Sequence, residues 1–87
     1  MAIVTGQLSV GASPVPVNVP NTSPLRVHIH NNDNTNNLLV GNENVTSLTG
    51  LVLPKLDSIE FVLNPNEVVY LLSSSGTISA SYLVQNA

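Results

Sequence analysis

Cysteine and tryptophan are absent, basic residues number two, and aromatic residues are limited to two Tyr and one Phe. With no thiol, these residues offer neither a disulfide nor a thiolate metal site, which leaves His28 and His30 as the only transition-metal ligands beside five acidic residues. The lack of Cys fits a reducing cytoplasm or a particle assembled there. So few aromatics mean a thin core. A chain of 87 residues makes one small domain that buries roughly 60–65% of its unfolded surface. Such a core is marginal, and stability borrowed from a partner subunit is expected.

Charge is equally scarce: Arg26 and Lys55 stand against Asp33, Glu43, Asp57, Glu60 and Glu67, a formal net charge of -3. Two cations cannot neutralise a useful number of phosphates, which argues against nucleic acid and against an anionic membrane surface as partners. No apolar run approaches the ~20 residues needed to span a bilayer. No Lys or Arg precedes Arg26, so no secretory signal is expected and the reading is of a soluble, unanchored protein.

What is present is β-prone. Apolar residues recur with period two between clusters of Pro, Gly and Asn, and no convincing helical period occurs. The pattern predicts strands at Ala2–Val10, Val15–Val19, Leu25–Asn31, Asn37–Gly41, Asn44–Thr46 with Leu51–Leu53, Ser58–Leu63, Glu67–Ser73 and Thr77–Val84. The alternations Leu25/Val27/Ile29, Ile59/Phe61/Leu63 and Ile78/Ala80/Tyr82/Val84 mark the faces that should meet in the core. Turns at roughly 8–12-residue spacing point to a small antiparallel β-sandwich or jelly roll, with a small up-and-down β-barrel as the alternative. The expected organisation is one β domain over 1–87, in which 1–24 serves as an N-terminal strand or arm for assembly. Within it Pro14, Pro16 and Pro20 confine the chain to an edge strand or extended arm.

The stretch HIHNNDNTNN, residues 28–37, is the nearest thing to a chemical motif. On a strand, His28 and His30 share one face, opposite Val27 and Ile29. A metal there needs a further ligand, which Glu60 or Asp57 supplies only if the strands pair suitably. His28, His30, Asn34 and Gly41 have the spacing of a cupin metal motif, but Asn34 replaces a carboxylate and Thr22 stands where a Gly is wanted. Asn32, Asn34, Asn36 and Glu43 fall in an EF-hand-like register that lacks the first Asp, the Gly at position 37 and the flanking helices. Asn31–Asn37 reads instead as a hairpin loop, because Asn and Asp form Asx-turns and tolerate left-handed backbone.

Catalytic signals are poor. Ser73-Ser74-Ser75-Gly76 is a turn without a nucleophile elbow, and Asp57, Glu60 and Glu67 sit at or near strand ends. No enzyme, catalytic residue, resident metal or cofactor is expected. The sequons at Asn21 and Asn44 matter only in a secretory pathway.

The order of features in the second half is suggestive: Val40-Gly41, Val45-Thr46, Gly50-Leu51-Val52-Leu53-Pro54, Ser58–Leu63, Val69–Leu72 and Ser75-Gly76-Thr77. It resembles that of small all-β virion proteins of tailed bacteriophages, over about Leu25 to Val84. Pro54-Lys55 stands where that family often has Pro-Gly. The resemblance implies a structural virion protein, foremost a capsid decoration (cement) protein on the phage head, assembled in the host cytoplasm. Its implied partners are the major capsid protein or other virion proteins, and copies of itself, with a homotrimer favoured. The alternative it implies is a head-fibre, collar or tail accessory or adhesion subunit that binds a host-surface glycan or protein.

Overall fold

In a computed structural model of the chain, which describes residues 3–17 and 22–87, eight strands and no helix are found among the described residues. They are β1 (Val4–Val10), β2 (Val15–Pro16), β3 (Leu25–Asn31), β4 (Leu38–Gly41), β5 (Leu51–Leu53), β6 (Ser58–Leu63), β7 (Tyr70–Ser73) and β8 (Ile78–Asn86). Two four-stranded antiparallel sheets result, ordered β1-β8-β3-β6 and β2-β7-β4-β5. Strand β1 pairs with β8, β2 with β7, β3 with β6 and β4 with β5. The chain is thus one long antiparallel ribbon folded at the β4–β5 connection. Rolling that ribbon up brings β3 against β8 and β4 against β7. This is the double Greek key of a jelly roll. In an up-and-down barrel each strand would pair with its sequence neighbours. Here β4–β5 is the one such pair and the sheets do not close, so the sandwich expectation holds and the barrel alternative falls.

The inner faces follow the period-two pattern. Leu25, Val27 and Ile29 of β3 are fully buried, beside Ile78, Ala80 and Val84 of β8. They pack on Leu38, Val40, Leu53 and Leu71 of the second sheet, with Val10, Val17 and Val69 completing the core. Ile59, Phe61 and Leu63 of β6, and Val4 and Leu8 of β1, point into the same core but are only half covered, because both strands lie at sheet edges. Tyr82 lies opposite Gly6 in the β1–β8 ladder, its ring over the position that a Cβ would occupy.

Three expected strands change. Asn44–Thr46 is not a strand. The Asn44 N–H donates to Asn42 Oδ1, and Thr46 and Thr49 tie the next turn together through their hydroxyls. These local bonds satisfy the backbone without a ladder. The segment folds over the outer face of the second sheet, where Val45 packs with Leu39 and Leu72 in a small second core flanked by Tyr70. The strand predicted over Glu67–Ser73 begins at Tyr70, because Asn64–Glu67 is a turn closed by the Glu67 N–H on the Asn64 carbonyl. Of Val15–Val19, only Val15–Pro16 is strand; positions 18 and 19, like Ala2 and Asn21, lie outside the described residues. The N-terminal segment proposed as an arm contains β1, whose seven residues all pair with β8 of the same chain.

Candidate functional site

Strand β3 carries His28 and His30 on the outer face of its sheet, as their spacing requires. Arg26 shares that face. The pairing of β3 with β6 sets Glu60 directly opposite His28. Glu60 Oε1 lies 3.4 Å from Arg26 Nε, and its Oε2 lies 3.8 Å from His28 Nδ1. About half of each of these side chains is exposed, so the cluster is a solvent-screened ion pair that contributes at most about 1 kcal/mol. Glu60→Gln should accordingly shift the unfolding free energy by less than ~1 kcal/mol, measured by urea titration against the parent chain.

His30 does not join the cluster. It pairs across the sheet with Ser58 and Ser81, and its Nδ1 lies 2.6 Å from Asn32 Oδ1, so the Nδ1–H tautomer donates to that oxygen. The Asn32 amide in turn donates to Ser81 Oγ at 2.7 Å. Asp57 points elsewhere, its Oδ1 accepting the Ser58 N–H. Among the described residues no group of three or more His, Asp or Glu side chains lies close enough to share a metal ion. Shallow, open depressions on this face are lined by Thr5, Gln7, His28, His30, Ser81 and Leu83, and by Arg26, Glu60 and Gln85 beside them.

The Asn-rich run that follows is a structured loop. Asp33 Oδ2 accepts the N–H groups of Thr35 and Asn36 at 3.0 and 2.6 Å, and Asn34 Oδ1 accepts from the Thr35 hydroxyl. The EF-hand-like register therefore dissolves, because Asn32 is drawn to β8, Asn34 accepts the Thr35 hydroxyl and the Asn36 N–H closes an Asx-turn on Asp33. The cupin spacing likewise gathers no site, since His28 and His30 lie in β3, Asn34 in the loop and Gly41 at the end of β4 in the other sheet. The serine run ending at Gly76 is a turn too: the Ser73 hydroxyl donates to the Ser75 carbonyl and accepts the Ser75 N–H. Gly76 has a φ of 65°, the left-handed conformation glycine tolerates best.

The side chain that sequence reasoning missed is Asn31, which is fully buried. Its amide nitrogen reaches the carbonyls of Asn36 at 3.0 Å and of Leu53 and Pro54 at 3.2 Å each. Its Oδ1 accepts the Asp33 N–H at 3.0 Å. Two amide hydrogens serve three acceptors, so one bond is shared. Asn31 thereby fastens the β3–β4 loop to the end of β5. The available signal was its parity: it continues the inward row Leu25, Val27, Ile29.

The class these features define is a jelly-roll β-sandwich whose polar clusters serve turns and strand pairing. No family model and no curated protein matches the chain. Among solved structures, one described as "Bacillus endospore appendages form a novel family of disulfide-linked pili" is similar over 95% of this chain and 80% of that chain. The TM-score is 0.71 at 12% identity, a likeness of fold.

Proposed function

We propose that this chain is a structural subunit of a multi-copy protein assembly, acting through β-rich protein–protein contacts and carrying no chemistry of its own. The observation that supports it most is where the apolar surface lies. Leu51, Val52 and Val62, three of the seven exposed large apolar residues among the described residues, are each more than half exposed on the edge strands β5 and β6, and Val4 and Leu8 of β1 and Ile59, Phe61 and Leu63 of β6 are only partly covered. A small domain that leaves its core open along its sides is completed by neighbours.

Two forms of assembly are at issue. The turn order of the second half supports a virion protein, a capsid decoration subunit on the phage head. The fold shared with a pilus protein supports a filament, though the 87 residues contain no Cys with which to form disulfide links. Electron microscopy of the purified chain, paired with co-sedimentation on assembled phage shells, separates them. Ordered polymers of the chain alone support the filament, and saturable binding to shells supports decoration. The absence of both polymers and shell binding would refute the assembly reading.

A further inference from the structure

We propose that the sheet containing β1 and β6 is continued by a second copy of this chain, β6 of one copy pairing antiparallel with β1 of the next. This rests on the assembly reading and names its contact. Natural edge strands are blunted by Pro, Lys, bulges or shortness. The second sheet follows that rule, since its edges are the two-residue β2 containing Pro16 and the three-residue β5, followed directly by Pro54. The first sheet does not. Its edges are the seven residues of β1, with no charge and no Pro, and the six of β6, with Glu60 as their one charge. Among the described residues each of these strands has a single sheet neighbour.

Direction and register fit a second copy as the partner; a twofold β1–β1 pair also keeps like faces together, but it closes a dimer and leaves β6 bare, whereas β6 on β1 uses both edges. Four strands that alternate in direction leave the two edges running opposite ways, so a copy in the same orientation extends the ladder antiparallel without being turned over. Of the registers that keep inward rows on one side, only one pairs all six residues of β6 with residues of β1. It sets Ser58 against Ser9, Ile59 against Leu8, Glu60 against Gln7, Phe61 against Gly6, Val62 against Thr5 and Leu63 against Val4. Apolar residues meet apolar ones, the carboxylate meets an amide, and the one ring falls on the one glycine, beside Tyr82. A twofold β6–β6 pair fits worse: keeping like faces together forces the strands out of full overlap or sets Glu60 against Glu60.

Within one copy Gln7, Ser81, His30 and Ser58 lie in one row across the sheet. Ser58 then faces Ser9 of the next copy, so each copy steps two residues, about 7 Å, along the strands. With the usual twist of about 20–25° per strand, the array is helical and its ends stay open.

The test uses the absence of native Cys. In one molecule Ser9 and Ser58 lie on opposite edges of the sheet, about 14 Å or more apart at ordinary strand spacing, beyond the ~7 Å limit for a disulfide. Oxidised S9C/S58C, and independently T5C/V62C, should therefore give ladders of dimers, trimers and longer chains on non-reducing gels. All four positions are exposed, and melting curves of the reduced variants should match the parent. The displaced pair S9C/V62C should cross-link at least tenfold less. Equal cross-linking by the displaced pair, monomers from both matched pairs, or single variants dimerising as readily would each overturn the contact. If the chain still binds shells or polymerises, the assembly reading survives that failure; if it does neither, both are lost.

Discussion

Replacing Asn31 with Asp is expected to cost the fold about 3–5 kcal/mol at pH 7, the usual scale for an uncompensated buried charge. The amide nitrogen that now meets the carbonyls of Asn36, Leu53 and Pro54 becomes a second acceptor oxygen, and the site is fully buried. For a domain of this size the total stability is on the order of 4–13 kcal/mol, so the change can consume most of it. The sign with pH follows from the site. Burial and facing carbonyls raise the folded-state pKa of the new carboxyl above the ~3.9 of an unfolded Asp. The loss is then small below pH ~4 and grows as pH rises from there toward the raised folded value. Urea unfolding of Asn31→Asp and the parent at pH 4 and pH 7 should show the gap widening at the higher pH. Asn31→Ala, which deletes the amide donors and the Oδ1 acceptor of the Asp33 N–H without adding a charge, should lose about 2–4 kcal/mol with no such pH dependence.

The second large effect lies on the opposite sheet. A Cβ on Gly41 would come 2.8 Å from Val45 Cγ2 and 2.9 Å from Val45 Cβ. Both atoms belong to a stiff β-branched side chain, held between Leu39 and Leu72. Gly41→Ala is therefore expected to destabilise by about 1–3 kcal/mol through overpacking. Val45→Ala alone should cost a similar amount by emptying the small core. Combining the two should cost less than the sum of the singles, since the second substitution removes Val45 Cγ2, the nearest atom the first collides with, and leaves a smaller side chain that can shift. Additive losses in a double-mutant cycle, read by thermal or urea unfolding, would mean that the β4–β5 segment does not lie over the sheet as described.

Much of this architecture is legible in the sequence because one physical rule governs it. Residues two apart on a strand share a face, so Leu25, Val27 and Ile29 announce an inward row, and the structure buries all three. The same holds for Ile78, Ala80 and Val84, while Ile59, Phe61 and Leu63 reach the core from an edge strand that leaves them half covered. Turn chemistry is local, and the Asx-turn at Asp33 and the left-handed Gly76 lie in stretches read as turns. The pairing of first strand with last is not legible, because no local preference encodes a distant partner. Val45 misled for a related reason: a β-branched residue between Asn and Thr has strand propensity, and only its burial by Leu39 and Leu72 reveals a plug. Asn31 hid in plain view. Its type and its Asn-rich neighbours say loop, while its parity says core, and two of the three carbonyls that satisfy its buried amide come from residues more than twenty positions away.

For the histidines the sequence supplied half of the geometry. Period two places His28 and His30 on one face, and the structure adds that Glu60 stands opposite His28 alone while His30 turns to Asn32. The outer face is mostly polar across the four strands, interrupted by Leu83 and Val62. What distinguishes it is how it ends, at two long and unguarded strands.

The central claim, that copies of this chain join one another, is tested most directly by sedimentation velocity of the pure protein over a wide concentration range. The account predicts species well above the 9.2 kDa of one chain, growing in size as concentration rises and without a fixed closed stoichiometry. A single species of 9.2 kDa that persists to the highest concentrations reached would contradict it.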